Sequence, residues 1–289
     1  MRRARPERAL EGALAAAVAA APGEVVLAAV SGGPDSGALA ALLARHVAGR
    51  GARLVLGHVN HAVRATADRD EAVVLALGAA LGARVLTRRL PPGPAAEARL
   101  REARYAALAG LARAAGASRV FTAHHAEDQT ETVLLALFRG SGPQGIAGMA
   151  PDRSIARGLR LVRPLLEVPK ARLVAYCAER GLPYALDPTN AESGYRRNAL
   201  RGALETLRES FPGLDASVAR FAAIARAERA GAGRAALRRE LRGGLEAALG
   251  DLRDIGLERV DAVARAVERG RQGRHFVRED VEVIVRRSR

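Results

Sequence analysis

The sequence predicts an α/β fold: a doubly wound parallel sheet, with a second, smaller and mainly helical domain after it. Two patterns carry that reading. Between residues 25 and 166 short apolar runs alternate with longer stretches of helical period, as repeated β-α units require. Beyond Pro169 the strand signal gives way to helical period almost to the end. A chain of 289 residues is long enough for about two domains and buries a core without disulfide or metal staples. Its hydrophobic content of 49% excludes a disordered chain, and with five Phe, four Tyr and no Trp that core must be built from Ala, Leu and Val.

The N-terminal segment imitates a secretory leader, with Arg2, Arg3 and Arg5 ahead of an alanine-rich run, but Glu7, Glu11 and Gly12 interrupt it. Leu10, Leu14 and Val18 recur every four residues, so the segment reads as an amphipathic helix stopped by Pro22-Gly23. No run approaches the roughly 20 apolar residues of a membrane span, and a cytoplasmic protein is expected. Strands follow at 25–30, 54–59, 84–90, 120–123 and 159–166, with helices at about 36–49, 70–81, 95–115 and 128–139 between them. In such a sheet ligands bind beyond the carboxyl ends of the strands, where strand order reverses, so functional residues are expected just after strands. Helices at about 170–180, 191–209, 216–241 and 258–269 come next, then a strand at 281–285 that pairs with 275–277 in a hairpin. The domain boundary is expected at 214/215. Residues 215–289 carry 17 Arg against 12 Asp and Glu, a surplus suited to contact with a polyanion.

The net charge of +15 points to a polyanionic partner, while a coding bias toward Arg explains the same number. Of 46 basic residues only Lys170 is a lysine, so a Walker loop of the form G-x-x-x-x-G-K-[ST] is absent. The single Cys177 excludes an intrachain disulfide and any all-cysteine zinc or iron–sulfur site, and on its helix it reads as a core residue.

The sharpest motif follows the first strand: Ser31-Gly32-Gly33-Pro34-Asp35-Ser36-Gly37, at the mouth of a helix. Gly32 and Gly33 let backbone N–H groups approach a ligand, Ser31 and Ser36 add hydroxyls, and the helix N-terminus favours negative charge. An ordinary turn capped by Ser36 or Asp35 accounts for one of these residues, not for two Gly and two Ser together. The loop is a phosphate cradle without a lysine. Ser-Gly-Gly-x-Asp-Ser resembles the loop of the ATP pyrophosphatases, the PP-loop family, which split ATP between the α and β phosphates and leave AMP on an acceptor. The resemblance implies a Rossmann-like fold and adenylation rather than γ-phosphoryl transfer.

Further motifs narrow the substrate: His58-Val-Asn60-His61, Arg101-Glu-Ala-Arg104-Tyr105, His124-His125-Ala-Glu127-Asp128-Gln-Thr-Glu131, Gly145-Ile-Ala-Gly148-Met149, Arg163-Pro-Leu-Leu, Asp187-Pro-Thr-Asn190 and Tyr195-Arg-Arg197-Asn198-Ala-Leu-Arg201. In this order and spacing the set resembles bacterial tRNA(Ile)-lysidine synthetases over about residues 24–214. The resemblance implies ATP and Mg²⁺, free L-lysine, and an isoleucine tRNA with a CAU anticodon whose wobble cytidine becomes lysidine. It assigns the pyrophosphate of ATP to Ser31 to Ser36, lysine to Asp128 and Glu131, and ATP or the target nucleotide to Arg101, Arg104 and Tyr105. His58, Asn60 and His61, near the end of a strand, read as contacts to ATP or the target base, or as structural residues, and Arg197 and Arg201 as partners of a carboxylate or phosphate, here that of lysine. Asp35, Asp128 and Glu131 are the expected catalytic carboxylates.

The residues themselves leave alternatives open. Asp128 and Glu131 also match a capping box, or a carboxylate pair holding Mg²⁺. Where the family reads Asp-Asp, this chain has Glu127-Asp128, one methylene longer. His124 and His125, adjacent on an extended chain, point to opposite sides, and no spacing supports a side-chain metal cluster. Residues 140–145 match G-x-G-x-x-G but follow a helix instead of a strand, so no dinucleotide fingerprint is read there. Two other functions remain: a tRNA thiolase of the same superfamily, or an RNA-binding protein that senses nucleotide without catalysis. The oligomeric state is left open.

Overall fold

Apolar residues spaced to one face set the first element, and each later strand follows from a short run of Val, Leu and Ala. A computed structural model describes residues 4–18, 20–60, 67–91, 97–142, 145–185, 195–229, 233–250, 255–268, 272–278 and 281–285. Helix α1 (Ala4–Ala17) buries Leu10 and Leu14, and Val18 just beyond it, at the four-residue spacing read from the sequence. Then follow β1 (Val25–Ala29), α2 (Pro34–Ala48), β2 (Arg53–Asn60), α3 (Ala67–Leu81), β3 (Arg84–Arg89), α4 (Glu97–Ala115), β4 (Arg119–Phe121) and α5 (Ala126–Phe138). Strands β5 (Asp152–Ala156) and β6 (Leu159–Val162) lead to helices α6 (Lys170–Glu179), α7 (Tyr195–Ser210) and α8 (Leu214–Arg229).

Six strands form one sheet in the order β3-β2-β1-β4-β6-β5. All neighbours are parallel except β5 and β6. The chain enters at the centre with β1, winds out through β2 and β3, and returns to place β4 on the other side of β1, so the strand order reverses between β1 and β4. Alternation along β1 feeds two cores. Val26 and Ala28 pack with α1, α2, α3 and α6 residues such as Leu14, Leu42, Leu77 and Leu173, while Val25 and Leu27 pack with Leu108, Leu111 and Ala112 of α4. Helices therefore cover both faces, as the β-α alternation requires.

Three expectations change. The strand expected at 159–166 stops at Val162, because Pro164 has no N–H for a ladder and disfavours strand continuation. The polar segment Asp152–Ala156 forms an unforeseen antiparallel edge strand. The helix expected over 216–241 is two helices, α8 and α9 (Gly233–Leu249).

The described chain divides into two compact units, residues 1–140 with 148–220, and residues 141–147 with 221–289. In the second, α9 and α10 (Leu257–Glu268) pack with the hairpin of β7 (Gly273–Arg278) and β8 (Val281–Val285) through Leu245, Ile255, Val260, Val263 and Val277. Asp261 pairs with Arg238 at 2.7 Å and also with Arg265, and Arg226 donates to the Ala147 carbonyl at 2.7 Å.

Phe121 of β4 is fully buried against the first core. Phe121→Ala is expected to destabilise the chain by about 3–5 kcal/mol, read as a lower urea midpoint at unchanged slope; a loss below about 1 kcal/mol would mean that the site collapses freely.

Candidate active site at the carboxyl ends of the strands

The Ser-Gly-Gly loop turns from β1 into α2, whose first residue is Pro34 and whose N-cap is Gly33 in an extended conformation. Neither Ser36 nor Asp35 is the cap. Gly32 has φ +95°, and a Cβ there would lie 3.2 Å from the Asp70 carbonyl, so the position suits glycine twice over. Ser36, buried, ties the loop shut: its Oγ donates to the Gly33 carbonyl at 2.9 Å and accepts the Ser31 N–H at 3.1 Å, with Ser31 Oγ at 3.2 Å. With its one proton on Gly33, that hydroxyl shapes the cradle, and the N–H groups at the start of α2 are left to meet a ligand. Behind the loop, Cys177 donates from Sγ to the Pro34 carbonyl at 3.1 Å. Burial and nearby Asp35 push its thiol up to about 11.

His125 stands at the centre of the charged groups. It is the N-cap of α5 and stands at the capping-box spacing from Asp128, whose Oδ2 accepts the His125 N–H at 3.1 Å. Its Nδ1 lies 3.0 Å from Glu127 Oε2, and its Nε2 lies 3.4 Å from Asp128 Oδ2 and 3.7 Å from Asp35 Oδ2. Nδ1 cannot accept the Asp128 N–H at 3.4 Å while donating to Glu127, and the shorter contact to a carboxylate prevails. Burial opposes charge on this ring, yet the Glu127 hydrogen bond and the Asp128 and Asp35 carboxylates outweigh it and raise its pKa, which favours the protonated ring. Glu127 in turn accepts the backbone N–H of Lys170 at 3.0 Å, capping α6 from a neighbouring helix because Pro169 offers no side-chain cap. Burial resists ionisation of Glu127, and its bonds to His125 and Lys170 more than reverse this, lowering its pKa. Asp35 goes the other way. Burial raises it against the pull of His125 and Lys170, and its Oδ1 is buried without a hydrogen-bond partner. Three helix N-termini, of α2, α5 and α6, thus surround one ring.

One turn further along α5, buried Glu131 accepts Arg201 Nε at 2.6 Å and lies 3.4 Å from Arg197 Nε, which fastens α7 to α5. Arg197 and Arg201 are thus brought together on Glu131. The capping box is His125 with Asp128, not Asp128 with Glu131. His58 and Asn60 lie within the end of β2, not after it: both are buried, His58 Nδ1 donates to the Val30 carbonyl at 2.8 Å, and Asn60 donates to Glu71 at 2.9 Å. His58 Nε2 is buried without a partner. His61 and residues 187–190 lie outside the described residues.

Arg101 and Arg153 stand over the ring of Tyr105 at 5.4 and 5.0 Å, and Arg101 donates to its hydroxyl at 3.3 Å. Burial resists ionisation of this phenol, but Arg101, Arg163 and Arg153 together lower its pKa. Arg163, only 3% exposed, donates to the Ala150 carbonyl at 2.7 Å. His124 bonds Thr122 Oγ1 at 2.9 Å, and burial, helped by Arg163, Arg101 and His125, holds its pKa down at about 4, so this ring is neutral.

The PP-loop domain family matches residues 6–207. The chain belongs to the PP-loop family. It is similar to the tRNA(Ile)-lysidine synthase of Ralstonia nicotianae, 43% identical over 68% of this chain and 44% of that protein, and to that of Methylobacterium sp., 47% identical over 64% and 54%. Another, from Bordetella parapertussis, is 45% identical over 74% of this chain and 65% of that protein. The chain thus spans about half the length of the curated relatives it matches. Among solved structures, the U34-tRNA thiolase NcsA from Methanococcus maripaludis with its 4Fe-4S cluster superimposes with a TM-score of 0.65 at 14% identity, over 75% of this chain and 77% of that one; this likeness is one of fold.

For this PP-loop chain, sequence reasoning missed three residues. His125 looked like one of an interchangeable pair, and the signal that separates it is Asp128 three residues on, the capping-box spacing. Glu127 caps a helix 43 residues away, which no local pattern encodes. Gln129 pins Met149 through two bonds, to its carbonyl at 3.1 Å and from its N–H at 2.8 Å, and a Cβ on Gly148 would strike that amide at 2.9 Å.

Two outcomes follow from this PP-loop site. Cys177 is expected to resist a disulfide reagent at about pH 8 in the folded protein and to react fully in urea; rapid native labelling would contradict its burial. Because its pKa is raised, charged His125 stabilises the fold fully below about pH 6.5, and that contribution fades as pH climbs through its folded value. His125→Gln is therefore expected to cost more stability at about pH 6 than at about pH 9, and equal costs by urea unfolding would remove the imidazolium from the centre of the cluster.

Proposed function

We propose that this chain is a tRNA(Ile)-lysidine synthase acting in the cytoplasm. The supporting observation is the convergence of the lysine-free phosphate cradle with Asp35 and Asp128 on the His125 ring, in a chain 43–47% identical to proteins of that name. Pyrophosphate of ATP rests on the Ser31–Ser36 loop at the positive end of α2, with His58 and Asn60 on the nucleotide side. The carbonyl oxygen on carbon two of the wobble cytosine attacks the α-phosphate: an O–P bond forms and the bond to pyrophosphate breaks. The ε-amine of lysine, having shed its proton, then bonds carbon two, and the C–O bond breaks to release AMP. Orientation and electrostatics supply the rate, and no enzymic lysine takes part.

The carboxylate of Asp128 takes the lysine side chain, and Arg197 and Arg201, steadied by Glu131, take the lysine α-carboxylate. Arg101, Arg104 and Tyr105 face the target nucleotide. Asp35, with its orphaned buried Oδ1, and Asp128 are a donor set that suits Mg²⁺ when phosphate oxygens complete the shell, although no cluster of three ligands exists among the described residues. The ion would neutralise phosphate charge there. A thiolase reading gains nothing from Cys177, which is buried, bonded to Pro34 and held in its thiol form.

The test incubates the purified chain with ATP, Mg²⁺, radiolabelled lysine and a CAU-anticodon isoleucine tRNA. Label is expected in the tRNA with one pyrophosphate released per lysine; pyrophosphate without label sinks the lysine step, and the absence of both products sinks the reading. Asp128→Asn is expected to cut incorporation by about 100-fold or more with ATP binding retained, and an unchanged rate would leave Asp128 a helix cap alone. Ser36→Ala opens the loop and is expected to weaken ATP use about 10-fold, read as a raised KM; an unaltered KM and kcat would remove Ser36 from the cradle.

A further inference from the structure

We infer that the groove between α4 and β5 is a track for the RNA backbone, leading into the active-site crevice; the choice of RNA rests on the proposed function. The groove is open, about 660 Å³ in volume, with Ala106, Ala109 and Ile155 among its walls. Three guanidinium groups line it, on Arg101, Arg113 and Arg153, against one acid, Glu102.

Two arginines of the neighbouring strands are neutralised within the fold. Arg119 is taken up by Glu24 at 2.8 and 2.9 Å, and Arg160 by Asp152 at 2.9 Å. Among the described residues, by contrast, neither Arg113 nor Arg153 has a carboxylate within ion-pair distance. Arg153 lays its guanidinium on Tyr105 and Arg101 hydrogen-bonds the phenol, so both are oriented cations, not loose surface chains. At one end lies the site: the helix of a parallel β-α unit runs back against its strands, so Arg101, early in α4, lies toward their carboxyl ends and Arg113, late in it, lies away from them. From Arg101 to Arg113 is twelve residues of helix, about 18 Å, longer than one nucleotide needs. Unneutralised, oriented arginines over that length, beside apolar walls that seat sugars and bases, suit a phosphodiester strand.

The experiment measures binding of a labelled CAU-anticodon tRNA transcript to the full chain by fluorescence anisotropy across a salt series, with no lysine or turnover. Arg153→Ala and Arg113→Ala are each expected to weaken binding about 5- to 10-fold and to flatten the log–log salt slope by about 0.7–0.9 for each phosphate no longer neutralised, with ATP affinity unchanged. Arg153→Lys keeps the charge and is expected to recover the salt slope. Should Arg153→Ala fail to fold, Arg113→Ala and Arg113→Glu still decide, because Arg113 does not touch Tyr105's cation pairs. Unchanged RNA affinity and slope would overturn the inference and leave the groove to an acidic protein, and a loss of ATP affinity alone would assign it to the nucleotide. Failure of lysine transfer with these RNA effects intact would sink the reaction, not the groove.

Discussion

One buried histidine governs the geometry of this chain. Asp35, Glu127 and Asp128 bring three carboxylates to within hydrogen-bonding or ion-pair distance of His125, in a place where burial strengthens every charge. Without a cation between them they would repel each other and drive the loop, α5 and α6 apart. With it, each carboxylate acquires a separate task. Asp35 belongs to the first turn of α2 beside the cradle, Asp128 closes the first turn of α5, and Glu127 reaches across to cap α6. A neutral hydrophobic centre would pack as well, yet it would not keep two acids apart at a fixed angle to a phosphate-binding helix end.

The scarcity of lysine acquires a structural meaning in this light. Guanidinium groups bind carboxylates through two parallel bonds, and this chain uses them so at Glu24–Arg119 and Asp215–Arg208. Lys170 is placed where such a fork is not wanted: its backbone N–H is held by Glu127, and its ammonium bears on Asp35 as a point charge. The phosphate cradle relies on backbone groups and glycine, so neither kind of basic side chain is needed inside it.

Much of the first unit was legible because its sheet is buried on both faces. Val25 to Ala29 and Leu54 to Val59 had to be apolar, and helical period between strands gave the parallel winding. The loop was legible for a different reason, since two Gly and two Ser in six residues have little other physical use. What escaped was long-range or polar. The sequence Asp152-Arg153-Ser154 carries no apolar alternation because an edge strand has only one neighbour to satisfy. The bond from Glu127 to the Lys170 N–H, and the two from Gln129 to Met149, join residues with no shared period. Glu131 was read as a site carboxylate, but only the tertiary structure shows that Arg197 and Arg201 converge on it.

The two outermost strands share a property with a consequence for how molecules of this chain meet each other. Strand β3 ends in Thr87-Arg88-Arg89 and β5 begins Asp152-Arg153, so each margin of the sheet bears exposed charge along its unpaired backbone. A second copy approaching edge to edge would have to strip water from guanidinium groups of its own sign before it could extend the ladder. The arginine surplus, whatever its genomic origin, therefore acts as a selvedge that keeps a strongly apolar sheet from fraying into intermolecular β-structure.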